Sequence, residues 1–414
     1  MSNLSTRILS SGLPLVVERI PGVRSVGLTW LLPAGSARDP DDRQGRSAII
    51  SEMINRGAGD LGSREHADAL DTLGVGKGTG VETFHLSLKA TLLGSRLREA
   101  LPLLVDMVRR PKMSLEDVEP SRDLCLQAVE SLKDSPQERV MVLLKSKHAP
   151  SPINRSGLGT IEGLRRVTAE ELAPAWRSSA VPKGGAVLAL AGDVDPDAAT
   201  AQLDQLLADW TGEAQPLKWG TPINRGYHHE PDPTNQVHIA IAHDAPSENS
   251  PDAWLERIVT AILSGGMSGR LFTEVREKRS LCYSVYASYS SEATFGRGTA
   301  YSGTTPERAQ ETLDVLLGEL HRINCPAGRA DRGEFERAVI GMKSRLVMSG
   351  ESTGSRANAI ARDYARIGRP RSLDEMTKAI DAITLEQVND YLARRSLGTI
   401  TIATIGPSEL KSGL

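Results

Sequence analysis

At 414 residues, with 39% hydrophobic and 24% charged positions, the chain can form more than one core and has the make-up of an ordinary soluble globular protein. Its 49 lysines and arginines nearly balance 52 aspartates and glutamates, for a formal charge of -3, so there is no basic field to attract nucleic acid or an anionic membrane. Cys125, Cys282 and Cys325 lie far apart and form no CxxC pair, which argues against both a disulfide framework and a thiolate zinc site.

The chain opens on MSNLSTRILSSGLPLVVERIPG, where polar and apolar residues alternate around Gly12 and Pro14. That pattern predicts a β-hairpin and not a signal peptide. No apolar run approaches the roughly 20 residues that span a bilayer, so a cytoplasmic location is expected. A strand running into a polar turn follows (24–42), then a short helix bracketed by glycines, GRSAIISEMINRG (45–57). GVGKGTG (74–80) is expected to be a glycine-rich turn. It lacks the G-x-x-x-x-G-K-[ST] order of a phosphate loop. The strand VETFHLSLKATLL comes next, and then a long helical pattern, SLEDVEPSRDLCLQAVESLKD (114–134), with a capping box from Ser114 to Asp117.

The order of elements then repeats. VTAEELAPAW (167–176), a Thr-x-x-Glu capping box, precedes the strand-like AVLALAGDV (186–194); ITLEQVNDYL (383–392), a Thr-x-x-Gln box, precedes TITIATIG (399–406). RSVGLTWLLPAGSARDPDD (24–42) corresponds to QVHIAIAHDAPSENSPD (236–252), and the helix at 114–134 to RGEFERAVIGMKSRLVMSG (332–350). Thr168 and Thr384 stand 216 positions apart and Val26 and His238 stand 212 apart, a nearly constant offset. The expected fold class is α+β, two duplicated α/β sandwich domains, at 1–210 and 236–414, joined by a proline-rich extended linker at 211–235.

GGMSGRLFTEVREKRSLCYSVYAS (265–288) resembles the C-terminal-half signature of the pitrilysin or insulinase-type metallopeptidases, the inverzincins, and of their processing-peptidase branch in particular. The resemblance covers essentially the whole chain. In active members a helix of the first half carries H-x-x-E-H, whose imidazoles bind zinc and whose glutamate is the general base. Matching Gly45, Met53 and Gly57 to the family's pattern puts Ala48, Ser51 and Glu52 at those positions. The third ligand falls at Gln127, with Glu130 as a one-turn alternative. A methyl group cannot coordinate and an isolated hydroxyl is no general base, so no zinc is expected in this chain. Packing alone would place Ile49, Ile50, Met53 and Ile54 in the core.

Arg276 and Tyr283, 7 positions apart, match the arginine and tyrosine that in the family reach a zinc site. A guanidinium fork can grip a peptide carbonyl or carboxylate, and a neutral phenol can donate to the oxyanion of a tetrahedral intermediate. The resemblance therefore implies a non-catalytic, substrate-binding subunit, inactive alone, whose homologous H-x-x-E-H partner holds the zinc in a heterodimer acting on peptides or small unfolded proteins. The alternatives are an assembly subunit with no role in proteolysis, and a self-sufficient peptidase with a metal site built around Glu52 and Glu130.

Overall fold

The computed structural model describes residues 3–220 and 224–413, so Pro222 in the expected linker lies outside the described residues. The chain forms two compact units. The first gathers Met1–Ser131, Ser151–Gly220 and Ser349–Ser372; the second gathers Leu132–Pro150, Thr221–Met348 and Leu373–Leu414.

The sheet of the first unit contains β1 (Leu4–Ile8), β2 (Pro14–Arg19), β3 (Ser25–Leu32), β4 (Gly76–Val81), β5 (Leu86–Leu93) and β6 (Val187–Gly192), in the order β1-β2-β6-β3-β5-β4. The sheet of the second contains β7 (Tyr227–Pro231), β8 (Val237–Ala245), β9 (Cys282–Ser291), β10 (Gly296–Thr304) and β11 (Thr401–Gly406), in the order β7-β11-β8-β10-β9. β2 runs parallel to β6 as β7 does to β11, and the remaining pairs of both sheets are antiparallel. Apart from the extra hairpin strand β1, the two topologies are the same. The duplication read from the sequence is thus present in the strand order, and both Thr168–Glu171 and Thr384–Gln387 form reciprocal capping boxes.

Two features depart from the sequence reading. Tyr227–Pro231, inside the stretch expected to be a linker, is the edge strand β7 and pairs with β11. The units are also not contiguous in sequence, because each takes one helix from the opposite half. Thr353–Ile367 lays Ala357, Ile360 and Ala361 across β3 and β6, against Val16, Leu31, Val187 and Ala189. Pro136–His148 lays Val140 and Leu144 across β8 and β11, against Ala240, Ala242 and Ile405. The physical reason lies in the strands: β6 and β11 are buried at every position, so each sheet needs a cover on both faces. The other faces carry the larger cores, around Trp30, Leu28 and Leu190 in the first unit and Ile239, Ile241 and Leu316 in the second.

An arginine ties each exchanged helix to its host sheet. Arg356 bonds Glu18 on β2 and the Arg371 carbonyl. Arg139 forms an ion pair with Glu230 on β7, the topological equivalent of β2, at 3.1 Å, and donates a hydrogen bond to Asp232. Gly27 on β3 shows how closely the first helix lies, since a Cβ there would stand 2.4 Å from the Thr353 carbonyl oxygen.

Candidate functional site

The first unit holds Ala48, Ser51 and Glu52, the positions at which the sequence resemblance would put metal-binding residues. Its helix Arg46–Met53 has only 8 residues. Gly45 opens it at φ 111, a left-handed conformation open to glycine, and a Cβ there would strike Leu164 at 2.6 Å. The cap comes from Asp39, whose carboxylate accepts from the Gly45 and Ser47 amides at 2.8 and 2.9 Å and from the Ser47 hydroxyl at 3.0 Å. Ile49, Ile50, Met53 and Ile54 are buried, as amphipathic packing requires.

Ser51 is buried, while Ala48 and Glu52 are half-buried. A cation from the neighbouring strand meets this face. Lys77 on β4 donates to Asn55 Oδ1 at 2.8 Å, and Asn55 Nδ2 donates to the Ser51 carbonyl and to Thr79 Oγ1, both at 2.8 Å. Burial holds the Lys77 ammonium below its ordinary pKa, against the pull of the charges on Asp71 and Glu52. From the helix Val118–Glu130, Ser121 bonds Met53 Sδ at 3.4 Å, and burial plus the charge of Glu52 push the Cys125 thiol up to about 12. Gln127 and Glu130 on that helix are exposed. Among the described residues, no three His, Cys, Asp or Glu side chains are grouped so as to hold a metal ion.

The second unit brings Arg276 and Tyr283 together. Phe272–Glu277 is a turn of π-helix, a rare form whose wide winding re-aims side chains. It is anchored by the buried Leu271 and Val275, and Ser280, at φ 51, turns the chain into β9. The Arg276 guanidinium stacks between two rings, 4.8 Å from the centroid of Phe272 and 5.1 Å from that of Tyr283. Its neighbours have acidic partners: Lys278 and Arg279 bond Glu274 at 2.8 Å, and Arg270 grips Glu334 at 2.6 and 2.7 Å. Among the described residues Arg276 has no such carboxylate, so its N–H edges are open to a ligand. Tyr283 is 84% exposed at the start of β9, the edge strand of its sheet.

Sequence reasoning missed the Lys77 network because GVGKGTG was expected to be a turn. It instead contains β4, which forms the sheet edge, while the strand read at VETFHLSLKATLL lies between β3 and β4. The available signal was Lys77 and Thr79 at alternate positions, which a strand directs to one face. The histidines His228 and His229 lie on β7 and not in a linker, with His229 Nδ1 2.9 Å from Thr404 Oγ1.

Residues 15–159 match a family model described as insulinase, peptidase family M16, and residues 166–341 match one described as peptidase M16 inactive domain. An uncharacterized zinc protease of Mycobacterium leprae is 26% identical over 98% of this chain and 92% of its own. A similarly described protein of Bacillus subtilis is 26% identical over 96% of this chain and 97% of its own. A peptidase M16 inactive domain from Pseudomonas fluorescens superposes with a TM-score of 0.86 at 21% identity, covering 99% of each chain. A chain of complex III2 from Candida albicans does so with a TM-score of 0.83 at 18% identity, over 99% of this chain and 97% of that one. These likenesses establish the two-domain α+β fold expected from the sequence.

Proposed function

Because this chain belongs to the insulinase-type peptidase family M16, we propose that it is the metal-free, peptide-gripping subunit of a two-chain zinc peptidase. The observation that carries this reading is Arg276, stacked on the exposed ring of Tyr283 with no carboxylate partner among the described residues, in a chain whose metal positions hold Ala48, Ser51, Glu52 and Gln127. Zinc in a homologous H-x-x-E-H partner would supply the activated water. This chain's residues then do two things. The open N–H edge of Arg276 holds a carbonyl or carboxylate of the bound peptide. The Tyr283 hydroxyl donates a hydrogen bond to the oxyanion that develops when water adds to the scissile carbonyl, a contact stronger in the transition state than in the ground state.

The reading predicts that the chain purified alone retains essentially no zinc after dialysis against a trace of added metal. One tightly held equivalent would overturn it. In a complex reconstituted with an H-x-x-E-H homologue, Tyr283→Phe should lower kcat by roughly a hundredfold, the usual loss when one oxyanion donor is removed. Arg276→Ala should lower kcat/KM by a comparable factor, with assembly by size-exclusion chromatography intact in both variants. Unchanged kinetics in both would remove the grip. Stable assembly without any effect on peptide turnover would favour the assembly-subunit alternative.

A further inference from the structure

In the first unit, an open cleft of about 470 Å³ lies between the turn that precedes the helix Arg46–Met53, the Ser151–Arg155 segment and the stretch Pro216–Gly220. Three cations, Arg38, Arg155 and Lys218, and the half-exposed indole of Trp219 line it, with Pro152 and Pro216 beside them. The wall that carries Trp219 is held in place: Gly220 N–H donates to the Ser151 carbonyl at 2.7 Å, and the indole packs on Phe84 with centroids 6.3 Å apart.

Arg38 is the anomaly. Its guanidinium is half-buried, Nε is shielded from solvent without a hydrogen-bond partner, and no ion pair neutralises it among the described residues. The one carboxylate in the cleft, that of Asp41, is bonded by Arg155. A partly desolvated cation with no counter-charge is destabilising, and such a group calls for an anion to complete it.

We propose that this cleft binds an organic carboxylate with an apolar substituent, of the kind a peptide C-terminus presents. The carboxylate would lie on the Arg38 fork with Lys218 near it, and the adjoining side chain on Trp219 and the prolines. The guanidinium supplies the paired donors that planar carboxylates accept, and the indole supplies a flat apolar platform. The volume falls in the usual range for small-molecule sites, roughly 300–1,000 Å³. The site lies in the other unit from Arg276 and Tyr283, and it stands or falls independently of the peptidase reading.

The test is calorimetric titration of the full chain with three probes: N-acetyl-Gly-Phe with a free carboxylate, the same dipeptide amidated, and inorganic phosphate. Amidation, which removes the charge and little else, should weaken binding roughly tenfold to a hundredfold. Arg38→Met should abolish the preference for the acid over the amide, and Trp219→Ala should weaken the acid a few-fold. Unliganded Arg38→Met should melt no lower than the parent, because it removes a desolvated charge and no bond. Equal binding of acid and amide would overturn the proposal. Phosphate binding as tightly as the acid, indifferent to Trp219→Ala, would overturn it in favour of a bare anion site. Should Arg38→Met fail to fold, the comparison of probes on the parent chain and on Trp219→Ala still decides.

Discussion

In the first unit the exchanged helix is pinned by a guanidinium whose side chain is 1% exposed, Arg356, bonded to a Glu18 that is 13% exposed. In the second unit the equivalent pin, Arg139, is 16% exposed and shares two acids, Glu230 and Asp232, at 44% and 17%. One duplicated device therefore sits at two depths. Coulomb attraction strengthens as water is excluded, but so does the penalty for stranding one partner. The comparison extends to the sites. The face of the first unit that carries Ser51 and Glu52 is closed by the hydrogen bonds of Lys77, Asn55 and Thr79, whereas in the second unit Arg276 and Tyr283 are left open to a ligand.

The depth difference is sharpest in stability. Arg356→Ala should destabilise the chain by about 3–5 kcal/mol, the usual result of breaking a buried ion pair and leaving its carboxylate behind. Arg139→Ala should cost about 1–2 kcal/mol, because solvent reaches Glu230 and Asp232 and can replace the lost partner. Denaturant unfolding of both variants checks the order. Equal losses would show that the two helices are held by packing on Val16, Leu31 and Val187 or on Ala240 and Ala242, and not by their pins.

A pH titration separates the units by a different route. His148, on the exchanged helix of the second unit, bonds Thr401 Oγ1 through Nδ1 at 3.0 Å, and burial with the neighbouring charge of Arg225 pushes its pKa down to about 3. Asp244 opposes that shift, with Arg297 and His243 adding to it, and burial prevails. The imidazole is thus neutral when folded but takes a proton when unfolded below pH of about 6.5. The unfolded state binds more protons between those values, so stability should fall as pH drops from about 6.5 toward 3, by at most about 1.4 kcal/mol per pH unit from this group. His148→Gln should flatten that part of the profile. Lys145 on the same helix is pushed down to about 8, chiefly by burial, so it should add stability as pH rises from about 8 to 10.5.

Much of this architecture was legible because it rests on local patterns. Two capping boxes, two strand-like segments that follow them and a nearly constant offset predicted the duplication, and the strand orders bear it out. The Arg276 and Tyr283 spacing pointed to one locus because a turn and a strand start fix both residues within a short segment. The helix exchange was not legible: the apolar positions of Thr353–Ile367 show that a face must be covered but not which sheet covers it. β4 was missed for a related reason. Its glycines Gly76, Gly78 and Gly80 read as turn residues, and only pairing with β5 makes them a strand. Arg38 was overlooked altogether, since no sequence pattern reveals that a guanidinium lacks a partner.

The smallest expected effect tests whether the closed face of the first unit is inert. Lys77 is half-buried and among the described residues makes one side-chain hydrogen bond, 2.8 Å to Asn55, whose amide keeps its donations to Ser51 and Thr79 without it. Lys77→Met preserves the aliphatic stem and removes the ammonium, so it should cost no more than about 1 kcal/mol. Glu52 would lose the cation beside it, but as a half-buried carboxylate it remains within reach of water. Peptide turnover in a reconstituted complex should be unchanged, in contrast to Tyr283→Phe. A loss of turnover approaching that of Tyr283→Phe would mean that β4, the edge of its sheet, and the Lys77 charge behind it meet the peptide as well. The contrast between a closed Ser51–Glu52 face in the first unit and an open Arg276–Tyr283 pair in the second would then fail, because both would touch the peptide.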